Sequence, residues 1–381
     1  MKLSWQHWVW ATGISVAALV AAPVAAQVLR PVALEAIAYP DDELWCDCNR
    51  QALTAAIDQS LRYLETDSAA VAYQKLQIPG FTRERVRRSL VRFRAILQQA
   101  KDPDELQRIV QREFEFYQSV GTDGMGRVDF TAYFEPSYQA SPVRTEEFRY
   151  PLYRRPLGLD QWRSPHPTRA ELEGVDGSPP VDSPLLGQEL VWLPNRLQAY
   201  LVQVQGSGRL QMPDGSQMTI GFDGNTDYPY VSLGKELVND GVFPLEELTL
   251  PKLIDYFETH PEKLSDYIPR NNRFIFFRAT NGAPPTGSLG RPVTPRRSIA
   301  TDKSLMPPGA IALMSTDLPM PHGDNDWIKI PRNLYVLDQD TGSAIKGAGR
   351  VDLFLGAGAN VQTEAGLVNN PGSLYYLLLK E

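Results

Sequence analysis

The chain has 381 residues, a net charge of −7, 43% apolar and 22% charged residues. Such a chain can bury a sizeable core, and its length favours two domains or one domain with an insertion. The negative balance lacks the basic footprint of a nucleic-acid binder and gives no general attraction to anionic polymers. A sugar substrate would therefore be held by shape, hydrogen bonds and aromatic rings. The 31 prolines and 28 glycines point to many turns and short strands.

Residues 1–26 read as an export signal. Lys2 supplies the charge, Ile14 to Val20 a short apolar core, and Val24-Ala25-Ala26 a small-residue cleavage pattern before Gln27. The run is short for a membrane span, and no Cys follows it at a lipoprotein position. The protein is expected to be exported. Cys46 and Cys48 are one residue apart, too close for an unstrained disulfide. His7, His166, His260 and His322 are scattered, so neither a metal site nor a cofactor is expected.

Residues 50–120 carry helical spacing. Leu53, Ala56, Ile57, Leu61 and Leu64 form one stripe, and Val86, Leu90, Phe93, Ile96 and Leu97 a second. A third, Leu106, Val110, Phe114 and Tyr117, follows Asp102-Pro103. The arginines between Arg83 and Arg94 read as a solvated helix face. The run Val128 to Pro136 then reads as a strand with Thr131 and Tyr133 on one face. From Pro136 to about Leu193 the chain reads as loops and strands of a second domain. Leu201 to Gln205 reads as a strand with Gln203 and Gln205 on one face, ending in the Gly206-Ser207-Gly208 turn. Asp214-Gly215 marks a hairpin, and Tyr228 and Tyr230 lie in an aromatic loop before a helix at about Gly234–Asp240. Helices follow around Leu245–Phe257 and Pro261–Tyr267. Short strands then run at Arg273–Phe277, Ala310–Leu313 and Leu374–Leu379, suggesting a small closed barrel.

The most informative stretch is Tyr335 to Gly356. Leu334 to Leu337 reads as a strand ending in Asp338 and Asp340, and Thr341-Gly342 turns the chain. Val351 to Leu355 is a further strand, with Asp352 and Phe354 sharing one face. An acid beside an aromatic on a glycine-flanked strand has the setting of a general acid with a raised pKa, and equally of a solvated residue on a half-exposed strand.

Taken together, the segments Phe130-Thr-Ala-Tyr-Phe-Glu-Pro136, Val204-Gln-Gly-Ser-Gly208, Tyr228-Pro-Tyr-Val-Ser-Leu-Gly234, Ser298-Ile-Ala-Thr-Asp302 with Pro307-Pro-Gly309, and Asp340 to Asp352 resemble the MltA family of lytic murein transglycosylases over most of residues 127–380. The resemblance implies a mainly β protein with N-terminal helices. Residues 27–135 together with 274–381 would form the helices and a double-psi β-barrel (3D) domain, and 136–273 an inserted barrel-like β domain, with the glycan in the groove between them. It assigns Asp352 as catalytic acid and base, Asp340 as a second groove aspartate and Thr131 as a neighbour of the scissile bond. Gln205, Gly206 and Ser207 border the glycan, and Tyr133, Tyr228, Tyr230 and Phe354 are candidates to contact sugar. Ala132 and Ser343 stand where the family usually has Gly, Asp227-Tyr228 replaces a usual Gly-His, and a usual acid is missing from Gly358 to Val361.

One acid suffices for the implied reaction, because the muramoyl C6 hydroxyl is an internal nucleophile and leaves a 1,6-anhydro ring. The implied partner is the peptidoglycan glycan strand, met by a monomer, with no nucleic acid; cell-wall synthesis or division proteins are further candidate partners. Two other readings use the same residues. One is a murein-binding barrel without activity. The other is an aspartic protease built on Asp340-Thr-Gly-Ser343, which would need a second facing aspartate, and the chain has one such loop.

Overall fold

The computed structural model describes residues 27–33, 42–45, 47–323, 326–358 and 360–381. The export signal expected at 1–26 and Cys46 lie outside the described residues, and the Cys48 thiol is exposed. Among the described residues no helix is long and apolar enough to cross a membrane.

The N-terminal helices start where the caps dictate. Helix α3 (Arg83–Gln99) begins after Thr82, whose hydroxyl accepts the Arg85 N–H, and α4 (Pro103–Glu113) after Asp102, whose carboxylate accepts the Glu105 N–H. Their apolar stripes and that of α1 (Asp47–Leu64) join the main core through Leu53, Ile57, Leu90, Phe93 and Val110. A short helix α2 (Asp67–Lys75), which the spacing did not single out, joins α1 to α3. The third stripe does not continue to Tyr117. Phe114–Ser119 is strand β2, with Phe114 and Phe116 buried on one face. Phe114 fits both a period of four from Val110 and a period of two onward, and pairing with the C-terminal strand decides for the second.

Six strands close on themselves: β14 (Asn369–Leu379), β11 (Ile311–Pro321), β12 (Trp327–Asp340), β10 (Ser298–Ala300), β13 (Arg350–Phe354) and β3 (Val128–Tyr133), which pairs back with β14. The β10–β12 and β13–β3 pairs are parallel and the others antiparallel, as in the double-psi barrel expected. Outside the closed ring, β2 and β1 (Leu29–Val32) extend the sheet from β14.

A buried ion pair ties the N-terminal segment to this barrel. Arg297 donates to Asp42 at 2.5 Å, the other Asp42 oxygen accepts the Tyr335 N–H, and both side chains are almost fully buried. Removing one partner leaves a charge without compensation in a dry site. Asp42→Ala is therefore expected to destabilise the fold by about 3–5 kcal/mol, read as a lowered urea midpoint with an unchanged slope.

The inserted region carries a four-stranded sheet, in the order β4 (Ser137–Gln139), β7 (Ser207–Gln211), β8 (Gln217–Asn225), β9 (Ile275–Ala279), and a pair, β5 (Tyr150–Tyr153) with β6 (Glu189–Leu193). Asp214-Gly215 sits at the β7–β8 hairpin as read. Because β9 belongs to this sheet, the region runs past residue 273. One element differs from its expected class. Leu201 to Gln205 is the end of helix α6 (Arg196–Gln205), not a strand, so Gln203 and Gln205 do not share a strand face. The helix is capped by Asn195, whose side chain accepts the Leu197 N–H at 2.7 Å. It lies between two cores: Leu197, Tyr200 and Leu201 face one, Ala199 and Val202 the other. A helix buried on two sides carries no single apolar stripe, and its Val-Gln alternation mimics a strand.

Candidate active site

The site forms where β3 and β13 run parallel in register. Asp352 pairs with Thr131, and Phe354 with Tyr133. Side chains at paired positions point to the same side of a sheet, so Thr131 meets Asp352 and donates its hydroxyl proton to Oδ1 at 2.8 Å. Asp340 arrives from the end of β12. Strand β10 lies between the two acids, and Ala300 pairs with Asp352 on one side and Asp340 on the other. Adjacent strands are about 4.8 Å apart, so the two α-carbons are roughly 10 Å apart across this single small residue.

The two carboxylates have different surroundings. Asp340 Oδ2 accepts the Tyr133 hydroxyl at 2.7 Å, and Oδ1 accepts the backbone N–H groups of Ser288 and Thr341, both at 2.8 Å. Burial raises its pKa, opposed by these three donors. Among the described residues Asp352 has one donor, Thr131. Burial pushes its pKa up to about 6; the Thr131 hydrogen bond and the Arg350 charge oppose the rise, and the Asp340 charge adds to it. Tyr133 is held well above its ordinary pKa by burial and by both aspartates, so it remains a proton donor. Gly287 permits this packing: a Cβ there would lie 2.7 Å from the Gln339 carbonyl and 3.2 Å from Asp340 Cγ.

Two further aspartates, Asp338 and Asp302, are buried and serve as internal ties. Asp338 is fully buried and accepts from Thr301, Tyr376 and Lys303. Asp302 holds Ser304 and the Gly347 N–H. Asp340 and Asp352 share no hydrogen bond with each other, so the facing pair of an aspartic protease is not formed among the described residues.

A cleft of about 560 Å³ separates barrel and insertion. The barrel side gives Tyr133, Asp340 and Thr341-Gly342-Ser343, and the insertion gives Gln205, Gly206, Ser207 and Tyr230. Tyr230 is held above its usual pKa chiefly by burial, with a smaller contribution from the Asp352 charge. Gly206 closes α6 in the left-handed region, φ 77°, with open space where a Cβ would be. Gln205 also reaches across the boundary, its Oε1 accepting the Phe134 N–H.

Four expected site residues do not line this cleft: Asp352 and Thr131, both half-buried, and Phe354 and Tyr228. Phe354 is 2% exposed and packs on the Tyr133 ring at 5.1 Å, so it supports that tyrosine from the core. Tyr228 does not line the cleft; its hydroxyl donates to the His166 carbonyl and braces its loop. Gln203, singled out with Gln205 on the chain, lines the insertion side, and reading the chain missed Arg169, Asn271 and Arg273 there. Arg169 is buried and donates to Glu173, Gln203 and the Asn271 and Arg273 carbonyls. Its position in a Pro-rich stretch carried no signal for this.

Comparison with known proteins agrees with the architecture. Residues 129–278 match the MltA specific insert domain and residues 297–378 the 3D domain. Membrane-bound lytic murein transglycosylase A of Escherichia coli K12 is 30% identical over 287 residues, 75% of either chain. Among solved structures, the lytic transglycosylase LtgG of Burkholderia pseudomallei is 30% identical, with a TM-score of 0.56 covering 94% of this chain and 97% of that one. E. coli MltA with bound chitohexaose is 22% identical, with a TM-score of 0.69 covering 93% and 96%. With both domains in place and this identity maintained over three quarters of the sequence, the chain belongs to the MltA family of lytic murein transglycosylases.

Proposed function

We propose that this protein cleaves the β-1,4 bond between N-acetylmuramic acid and N-acetylglucosamine in peptidoglycan without water, using Asp352 as acid and then as base. The observation that carries the assignment is the contrast between the two acids. Asp340 has three donors on its oxygens, whereas Asp352 has one donor and a pKa near 6. A carboxyl that titrates near pH 6 keeps a protonated fraction close to neutrality and can serve both halves of the cycle.

In the first half, Asp352 gives its proton to the glycosidic oxygen as the muramoyl C1–O bond breaks. In the second, the resulting carboxylate takes the proton of the muramoyl C6 hydroxyl as that oxygen bonds to C1. Asp352 regains its proton, no water is consumed, and the fragment masses sum to that of the substrate. Asp340 faces the cleft with its oxygens held by three donors, and in its carboxylate form it stabilises positive charge developing at C1. Thr131 orients Asp352, and Gln205, Gly206, Ser207, Tyr133 and Tyr230 border the sugars. We further propose that the protein is exported by residues 1–26 and acts in the periplasm or at the outer membrane, in keeping with the membrane-bound naming of its relatives.

The test is digestion of purified murein by residues 27–381 with mass analysis of the products. Anhydro-muramoyl ends, one water lighter than hydrolysis products, are expected. Reducing muramoyl ends would replace this reading with a hydrolase, and retained binding without cleavage would leave a murein-binding protein.

A further inference from the structure

Arginines outnumber acids in the lining of the cleft, in a chain of net negative charge. Arg169, Arg273 and Arg278 line it together with one acid, Asp340. Two of the three arginines are matched: Arg169 pairs with Glu173 and Arg278 with Asp223. Arg273 has no carboxylate within ion-pair distance among the described residues. Its Nη2 donates to Asn225 Oδ1 at 3.0 Å and its Nη1 to the Tyr228 carbonyl at 3.3 Å, both neutral acceptors. A guanidinium carries five N–H donors, so these two bonds aim the group and leave donors over. The residue is half-buried, and burial alone lowers its pKa, with no acid to offset it. A partly desolvated cation without a counter-ion is costly, and that cost is relieved by a ligand bringing an anion. Asp340 does not supply it, because its oxygens are already held by Tyr133, Ser288 and Thr341.

We propose that Arg273 receives a carboxylate of the substrate, carried on the muramoyl side by the lactyl group or the peptide stem. This rests on the murein reading above. The sugar rings of the glycan backbone are neutral, so a fixed cation in the cleft distinguishes murein from an uncharged chitin-like chain. A planar guanidinium held at two points suits bidentate recognition of a carboxylate. Arg273 is thereby a specificity residue, set apart from the bond-breaking acid.

The experiment measures binding by calorimetry in an Asp352→Asn background, so that turnover does not interfere. Three probes are used: murein oligosaccharides with stems, the same chains freed of stems by an amidase so that the lactyl carboxylate is exposed, and neutral chitohexaose. Arg273→Gln is expected to weaken the carboxylated probes about 10- to 100-fold, to remove most of their salt dependence and to leave chitohexaose binding unchanged. Arg273→Lys, which keeps the charge, is expected to recover part of the loss. A loss confined to the stem-bearing probe assigns the carboxylate to the peptide, a loss confined to the stripped chain, where alone the lactyl carboxylate is free, assigns it to the lactyl group, and a loss in both shows that either carboxylate reaches Arg273. Equal weakening of all three probes would overturn the proposal and leave Arg273 as a brace for the Tyr228 loop, as would no change with any. If the parent chain neither bound nor cut murein, the murein reading itself would fall and this inference with it.

Discussion

Asp352→Asn is expected to lower murein cleavage by about 10²- to 10⁴-fold while leaving binding of chitohexaose intact. The amide has nearly the shape of the acid, and its oxygen can still accept the Thr131 hydroxyl, so the β3–β13 contact survives. What disappears is the proton that moves. The same substitution is expected to stabilise the fold at neutral pH. The folded pKa of Asp352, about 6, lies above the ordinary value of 3.8, so burying the ionised group opposes folding. Its favourable contribution is full below about pH 4 and lost as pH rises through about 6. The variant's advantage should therefore be nearly absent at pH 4 and reach on the order of 3 kcal/mol at pH 7. Urea unfolding of both proteins at the two pH values measures it. A stability gain with no loss of cleavage would mean that Asp352 is a buried strain of the barrel and that the acid lies elsewhere, with Asp340 the next to replace.

Thr131→Val is expected to move the high-pH limb of the rate profile upward. Asp352 must start protonated, so the rate of the parent falls as pH rises through about 6. The Thr131 hydroxyl is the hydrogen bond that favours the ionised form. Replacing it by a methyl of similar volume removes that preference and raises the pKa by about one unit. The rate at pH 7 relative to that at pH 5 should then increase, even if the absolute rate falls because Asp352 is less well oriented. Initial rates on solubilised murein between pH 4.5 and 8 decide the matter. A limb that stayed in place would show that a group other than Asp352 limits the reaction there.

Part of this protein was legible in the linear chain because the relevant physics is local. Thr82, Asp102-Pro103 and the apolar stripes after them set helix starts through capping and periodicity, and α3 and α4 begin there. Asp214-Gly215 makes its hairpin for the same reason. The alternation around Asp352 set it apart from the core-facing Val351 and Leu353, and the run from Phe130 to Asp352 carried the family resemblance.

Tertiary structure decided what depends on who packs against whom. Helix α6 reads as a strand because both of its sides are buried, and only the two cores around it select the helix. Phe114–Ser119 becomes a strand because β14 is there to pair with it. Phe354 shares a face with Asp352, yet its ring is taken up by Tyr133, and Tyr228 is turned to the His166 carbonyl. The separation of the two acids arises from Ala300, a residue with no chemistry of its own that sets one strand between them. The lack of a counter-ion at Arg273 among the described residues likewise depends on which acids fold near it. Residue type and spacing determined which carboxylates were present, whereas burial and the donors around each one, both long-range properties, decided which of them is poised to move a proton.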